Sequence, residues 1–261
     1  MEIMVCVKRV PDPAENEIGV APGGRDILRD DLVYGVNEWD NYAVEEALRI
    51  VEREGGSVTV VSVGAREEAD EVVRREMAMG ADKGLCLADA AFAGADGQGI
   101  ATILAAAVRR GQYDLVLTGA MADDGAAQVG GMLAALLDWP YASLVNRIEV
   151  QAGAPLVVGR EIEGGAQEVS EIDAPCVLSI QTGINEPRYV GIRGIRKVAS
   201  AEIPVLGAAA LGLDPSALGA RVRRLDYFVP PAGAGAEMLE GSVDEVAGQL
   251  VGLLKAKGGI K

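Results

Sequence analysis

The chain has no histidine. Without an imidazole there is no Ser-His-Asp or Cys-His nucleophile system, no histidine acid or base, and no histidine metal ligand. Cysteine is scarce too. Cys6, Cys86 and Cys176 are widely spaced and form neither a CxxC pair nor a zinc pattern, so no metal site is expected. Basic residues number 24 against 39 acidic ones, a net charge of −15. That balance leaves no footprint for nucleic acid or anionic lipid. No apolar run reaches the ~18 residues of a membrane span, and the first residues enter a strand with no leader pattern. A cytoplasmic protein that does not insert into a membrane is therefore expected. Neither GxxxxGK followed by Ser or Thr, nor a GxGxxG after a strand, occurs. Either the chemistry belongs to a bound cofactor or the chain performs none.

Aromatics are few, two Phe, two Trp and six Tyr, so the core must be aliphatic. Residues 2–7 and 58–63 read as strands buried on both faces, with two more at 84–87 and 115–117. Helices at 37–54, 67–79, 95–110 and 126–137 alternate with them. This alternation predicts an α/β fold with a doubly wound, mostly parallel sheet. Residues 27–36 read as a small hairpin. Beyond Pro140 the short strands at 142–150, 155–162, 167–172 and 176–180 read as an antiparallel extension. The rest is irregular until an amphipathic helix at 243–257. The expected division is a nucleotide-binding domain at 1–205 and a C-terminal arm at 206–261. Leu206, Leu211, Leu213 and Val229 would have no core in such an arm, so it should lie on a partner subunit.

The stretch 115–130 runs from strand through a glycine-containing loop into a helix. A helix N-terminus offers unpaired N–H groups and a positive dipole end, which suits a phosphate. Strand ends at Cys6, Val63 and Gly119 should converge there, with Asp123, Asp124 and Gln128 projecting into the crevice. The loop contains no lysine or arginine, so N–H groups of Ala126, Ala127, Gln128 and Val129 would face the anion. The acidic pair suits a carboxylate that caps the helix or meets a hydroxyl. Asn37 reads equally as a helix N-cap or as a site residue. Arg160-Glu161 reads as a surface ion pair. After Asn185-Glu186-Pro187-Arg188-Tyr189 comes Ile192, flanked by Arg193, Arg196 and Lys197. A basic cluster around an exposed aliphatic residue suggests docking to an acidic partner, or simply a solvated helix start.

Together these stretches resemble the beta subunit of electron transfer flavoprotein. The matches are Val5-Cys6-Val7-Lys8-Arg9-Val10-Pro11-Asp12, Asn37-Glu38-Trp39-Asp40, Ala43-Val44-Glu45-Glu46-Ala47-Leu48 and Ala78-Met79-Gly80-Ala81-Asp82. Ala122-Asp123-Asp124, Gln128-Val129-Gly130, Arg160-Glu161 and the Asn185 to Tyr189 motif complete them. The resemblance implies an adenine nucleotide alpha hydrolase-like core and a non-catalytic electron-carrier subunit. It implies an alpha subunit carrying FAD, an acyl-CoA dehydrogenase-type donor and a membrane quinone oxidoreductase-type acceptor. The nucleotide pocket it implies is Cys6, Asn37, Val63, Asp124, Ala127, Gln128 and Val129. Trp39 would lie towards the partner's flavin, Glu161 would steady the mobile flavin domain, and Ile192 would be the docking anchor.

Ordinary members of that family bury AMP in this subunit, whereas electron-bifurcating ones bury a second FAD. The former tend to read Asp-Asp-Asp-x-Asn-Gln-Thr and the latter Asp-Gly-Asp-Thr-Ala-Gln-Val. Asp123-Asp124-Gly125-Ala126-Ala127-Gln128-Val129 shares Asp124 with one and its second half with the other. A side chain at Asp124 narrows the loop and adds negative charge where a second phosphate would sit, which favours AMP. A nucleotide-hydrolysing or adenylating enzyme on the same core is the alternative. It would want a Ser-Gly-Gly-x-Asp-Ser loop, which is absent.

Overall fold

A computed structural model describes residues 1–122, 125, 127–151, 153–233 and 235–260. The chain forms two compact units, Met1–Ile18 with Arg29–Leu225, and Gly19–Leu28 with Asp226–Lys261.

The larger unit opens with β1 (Glu2–Cys6), β2 (Arg9–Pro11), β3 (Tyr34–Val36), α1 (Glu38–Glu54), β4 (Ser57–Val63) and α2 (Arg66–Met79). It continues with β5 (Lys83–Leu87), α3 (Gly97–Val108), β6 (Leu115–Gly119), α4 (Val129–Leu137), β7 (Tyr141–Glu149) and β8 (Leu156–Glu161). Then come β9 (Gln167–Ile172), β10 (Cys176–Ile180), α5 (Ile192–Val198), β11 (Val205–Leu206) and α6 (Ala208–Leu211). Nine strands form one sheet in the order β11-β5-β4-β1-β6-β10-β7-β8-β9. Ile3 and Val5 face the core under α1 and α2, while Met4 faces the one under α3 and α4. Burial of both faces is why β1, β4 and β6 are continuous apolar runs.

The chain leaves β1 through α1 to β4 on one side, and later returns through α3 to β6 on the other. Strand order thus reverses between β1 and β6, the place where open α/β sheets receive ligands.

Three expectations need correction. β7 and β10 are parallel, not antiparallel, because β10 is inserted between β6 and β7. Every residue of β10 is buried, which demands a neighbour on each side, whereas the polar β9 forms the edge. Only β8 and β9 make the antiparallel extension. Residues 27–36 form no hairpin of their own, since β3 pairs with the distant β2. Finally, residues 206–218 pack on this chain's own core. β11 extends the sheet beside β5, and Ala208, Leu211 and Leu218 are buried. Asp89 helps to seat this segment by accepting the Ala208 N–H at 2.8 Å.

In the smaller unit, α7 (Val243–Ala256) begins where Glu245 accepts the Ser242 N–H at 2.7 Å. α7 buries no residue, and Leu250, Val251, Leu253 and Leu254 are exposed. Among the described residues no helix is long and apolar enough to cross a membrane.

One core residue works against the fold. Glu76 on α2 is completely buried and neither carboxyl oxygen has a hydrogen-bond partner among the described residues. Burial pushes its carboxyl up to about 8 from an ordinary 4.5, against the opposing pull of the Arg75 charge. Between those values the folded chain keeps a proton that the unfolded chain releases, so stability falls as pH rises through that window. Glu76→Met, a volume-conserving apolar swap, should raise stability at about pH 8 by ~1 kcal/mol or more and change it less at about pH 5. Urea unfolding at the two pH values checks this, and equal shifts at both would refute it.

Candidate functional site

The mouth between β1 and β6 is organised by Asp40, which is buried on the first turn of α1. One carboxylate oxygen accepts the Lys8 N–H at 2.8 Å and the other accepts the Gly119 N–H at 3.0 Å. The ends of two adjacent strands are thereby tied to one helix. Only glycine fits at 119, because a Cβ there would stand 2.4 Å from Asp40 Oδ1 and 2.7 Å from the Trp39 Cβ. Burial raises the Asp40 carboxyl to about 7, with hydrogen bonds from Asn37, Lys8 and Gly119 pulling the other way. The half-buried Cys6 thiol is pushed far up, first by burial and then by the Asp40 charge, so it is no nucleophile.

Asn37 precedes α1, yet its side chain does not cap the helix. Its Nδ2 donates instead to the Met121 carbonyl at 2.9 Å, while its own N–H donates to the Lys8 carbonyl at 2.9 Å. Asn37 Oδ1 is buried with no donor among the described residues, whereas buried acceptors normally have a partner.

α4 begins at Val129, later than the expected 126. Before it, Ala127 is left-handed (φ 49°) and Gln128 right-handed (φ −105°, ψ −31°). Such alternation turns successive N–H groups to one side and makes an anion-binding concavity. A left-handed alanine costs roughly 1 kcal/mol, a strain that tends to persist at functional sites. Gly130 seats the helix against the sheet, since a Cβ there would stand 2.1 Å from Ser179 Oγ and 2.9 Å from Thr118 Oγ1. These hydroxyls bond each other at 2.8 Å, and the Tyr141 hydroxyl donates to Ser179 at 3.0 Å. Val63 and Val129 are half-buried. Gln128 is exposed, with its Oε1 beside Gly97 at the start of α3. Asp123, Asp124 and Ala126, expected at the loop, lie outside the described residues.

A second set of expected residues is joined through one that sequence reasoning missed. Trp39 Nε1 donates to Gln181 Oε1 at 3.0 Å, and Gln181 Nε2 donates to Glu161 at 3.3 Å. Asp40 and Lys8 were also missed as site residues. Both lie inside the motifs that carry the family resemblance, and their local signals were a carboxylate in a helix's first turn and a lysine just past a buried strand.

The expected docking residues divide. Arg188 is engaged with α1, 2.8 Å from Glu45 and 2.6 Å from Glu52. Asn185 donates to the Tyr42 carbonyl (3.0 Å) and to Glu46 (3.1 Å), while Arg49 reaches the Glu186 carbonyl (3.1 Å). Asn185 and Arg188 thus tie the motif to α1. At the motif's end Tyr189 is 92% exposed, and beyond it Ile192 is 67% and Ile195 51% exposed, with Arg193 and Arg196 also exposed. α5 is pressed onto α2, because a Cβ on Gly194 would stand 2.1 Å from the Ala78 carbonyl. Arg74 holds its far end, donating to the carbonyls of Val198 (2.5 Å) and Ala201 (3.0 Å). Among the described residues, no cluster of three or more acidic or cysteine side chains is placed to hold a metal.

Residues 26–211 match the family described as electron transfer flavoprotein domain. The chain is 35% identical to the electron transfer flavoprotein subunit beta of Methylophilus methylotrophus, over 97% of this chain and 98% of that one. It is 36% identical to the subunit beta of Thermoanaerobacterium thermosaccharolyticum, over 98% and 99%. It is also 36% identical to the caffeyl-CoA reductase-Etf complex subunit CarD of Acetobacterium woodii, over 98% and 99%.

The Arg188 tie to α1 carries its own prediction. Burial would raise the Glu45 carboxyl, but Arg188 and Arg49 outweigh it and hold the group below its ordinary 4.5. Arg188→Ala leaves a buried carboxylate short of a partner and should destabilise the fold by ~2 kcal/mol or more at neutral pH. Because the folded-state pKa is depressed, this contribution is present above the ordinary value and lost as pH falls through the depressed one. In urea unfolding the gap between wild type and variant should therefore narrow as pH is lowered from neutral into the acid range, and a gap of constant size would refute the assignment.

Proposed function

The chain belongs to the electron transfer flavoprotein family, and on that premise we propose that it is the beta subunit of a cytoplasmic, heterodimeric electron carrier. It performs no catalysis itself. In this reading the alpha subunit holds an FAD that accepts electrons from an acyl-CoA dehydrogenase-type donor. The reduced flavin then passes them to a membrane quinone oxidoreductase-type acceptor or another acceptor. The exposed apolar side chains of the smaller unit, among them Phe228, Val229, Leu250 and Leu254, supply the surface for that subunit. The Trp39-Gln181-Glu161 chain presents a tryptophan and a carboxylate to the partner's flavin domain.

We further propose that the mouth between β1 and β6 holds an AMP. The observation that carries this is Asn37 Oδ1, a buried acceptor without a donor among the described residues. An adenine amino group or a ribose hydroxyl would satisfy it, and the concavity at Ala127 and Gln128 suits the phosphate. The competing reading places a second FAD here, as in a bifurcating member. It draws on the Ala127-Gln128-Val129 half of the motif. Acid extraction of the purified heterodimer and chromatography should release one FAD and one AMP. Two FAD and no AMP would replace the AMP reading with the bifurcating one, and the absence of both would overturn the carrier assignment.

Docking to the donor would run through Ile192, with Arg193 and Arg196 steering an acidic partner. An aliphatic anchor of this kind is typically worth ~2 kcal/mol on truncation. Ile192→Ala should slow reduction by an acyl-CoA dehydrogenase-type donor by at least ~10-fold. Flavin content and melting temperature should stay unchanged. Stopped-flow reduction measures this, and a native rate would overturn the docking role.

A further inference from the structure

Gln181 follows directly on β10, and its main-chain N–H is fixed by donation to the Val145 carbonyl at 2.9 Å. Its side chain reaches two other elements. Oε1 accepts the Trp39 indole N–H at 3.0 Å and the Thr182 N–H at 3.1 Å, and Nε2 donates to Glu161 at 3.3 Å. An indole N–H and a main-chain N–H can only donate. The amide oxygen must therefore lie between them, which leaves the NH2 group to face the carboxylate. Gln181 thus has one amide orientation, and it sets Trp39 on the first turn of α1 against Glu161 at the end of β8. Trp39 is confined further by Gly119, where a Cβ would stand 2.7 Å from the Trp39 Cβ. Glu161 is exposed and pairs with no cation among the described residues. Its neighbour Arg160 points to the other face of the strand, towards Ser143 (3.2 Å) and Glu168 (3.7 Å).

An exposed carboxylate on a free stem samples several rotamers, and ordering it on binding offsets part of the contact energy. A carboxylate that accepts from a fixed amide donor is ordered beforehand, and its charge strengthens that bond. We propose that Gln181 is a positioning residue. It holds the Trp39 indole and the Glu161 carboxylate in one relative arrangement, and that arrangement, rather than either side chain alone, receives the flavin domain of the alpha subunit. This rests on the carrier reading given above. Gln181 itself needs no contact with the flavin.

The test follows flavin reduction in the heterodimer by an acyl-CoA dehydrogenase-type donor in stopped flow, over a range of donor concentrations. Gln181→Met should lower the maximal rate by ~10-fold and leave the half-saturating donor concentration unchanged, because α5 is untouched. Glu161→Ala should do the same, and the double variant should be no slower than Glu161→Ala. Gln181→Glu keeps an acceptor for Trp39 but removes the donor to Glu161. In that variant the rate should fall while the Trp39 indole N–H resonance stays in place, whereas in Gln181→Met the resonance should shift. Losses that add in the double variant, an unshifted resonance or a native rate in Gln181→Met, or a changed half-saturating concentration would overturn the positioning role while the carrier reading stands. A native rate in Glu161→Ala would overturn the part of Glu161 in that reading and the role of Gln181 with it.

Discussion

The Asp40 carboxylate is the interaction from which the crevice is built. Parallel strands end in main-chain N–H groups with no further strand residue to pair with, and at a buried mouth these need acceptors. Asp40 serves two of them, one just past β1 and one at the end of the neighbouring β6, from a helix that leads to β4. An ionised carboxylate in that setting faces a large desolvation penalty. Its charge-assisted bonds to two backbone donors, with the Asn37 side chain beside it, oppose that penalty. The missing Cβ at Gly119 lets the carboxylate come this close. Once the strand ends are tied, Asn37 and Lys8 have no freedom to be elsewhere.

The same helix governs the other surface. α1 buries Asp40, Glu45 and Glu46 among its apolar residues. Asp40 works at the crevice. Glu45 and Glu46, with the more exposed Glu52, receive Arg188 and Asn185 and so set where the chain turns towards α5. The crevice and the segment leading to α5 are thus referenced to one rod. α5 is steadied again from α2 through Gly194 and Arg74. Its apolar residues Ile192 and Ile195 stay exposed although the backbone beneath them is well held. That arrangement suits recognition, since ordering such a segment on binding would otherwise offset much of the contact energy.

Much of the fold was legible because burial writes a periodic pattern into consecutive residues. The runs of β1, β4 and β6 and the apolar stripe of α1 are such patterns, and they were placed within a few residues. Strand direction was not legible beyond Pro140. A short strand of five residues carries the same alternation whichever way its neighbour runs, so β10 could not be set between β6 and β7. The Ala- and Gly-rich stretch at 206–218 looked coreless because small side chains give a weak periodic signal. It nonetheless packs closely, with the Leu218 carbonyl 3.0 Å from where a Cβ on Gly99 would be. The engagement of Arg188 with α1 was not legible because its partners lie on a helix more than a hundred positions earlier.

The sequence by itself determined what this protein does without, namely imidazole chemistry and a zinc-binding cysteine pattern. It also determined the strand-helix alternation and the motifs that carry the family likeness. Those are properties of composition and of neighbouring residues, and local sterics and burial translate them directly. The tertiary structure decided which residues meet. Asp40 reaches Gly119 across 79 positions and Trp39 reaches Gln181 across 142, while Lys8 arrives at the Gly125 loop. Such meetings depend on strand order, which follows from how the crossovers return across the sheet. A lysine after a strand and an asparagine before a helix become parts of one site only when β1 and β6 lie side by side.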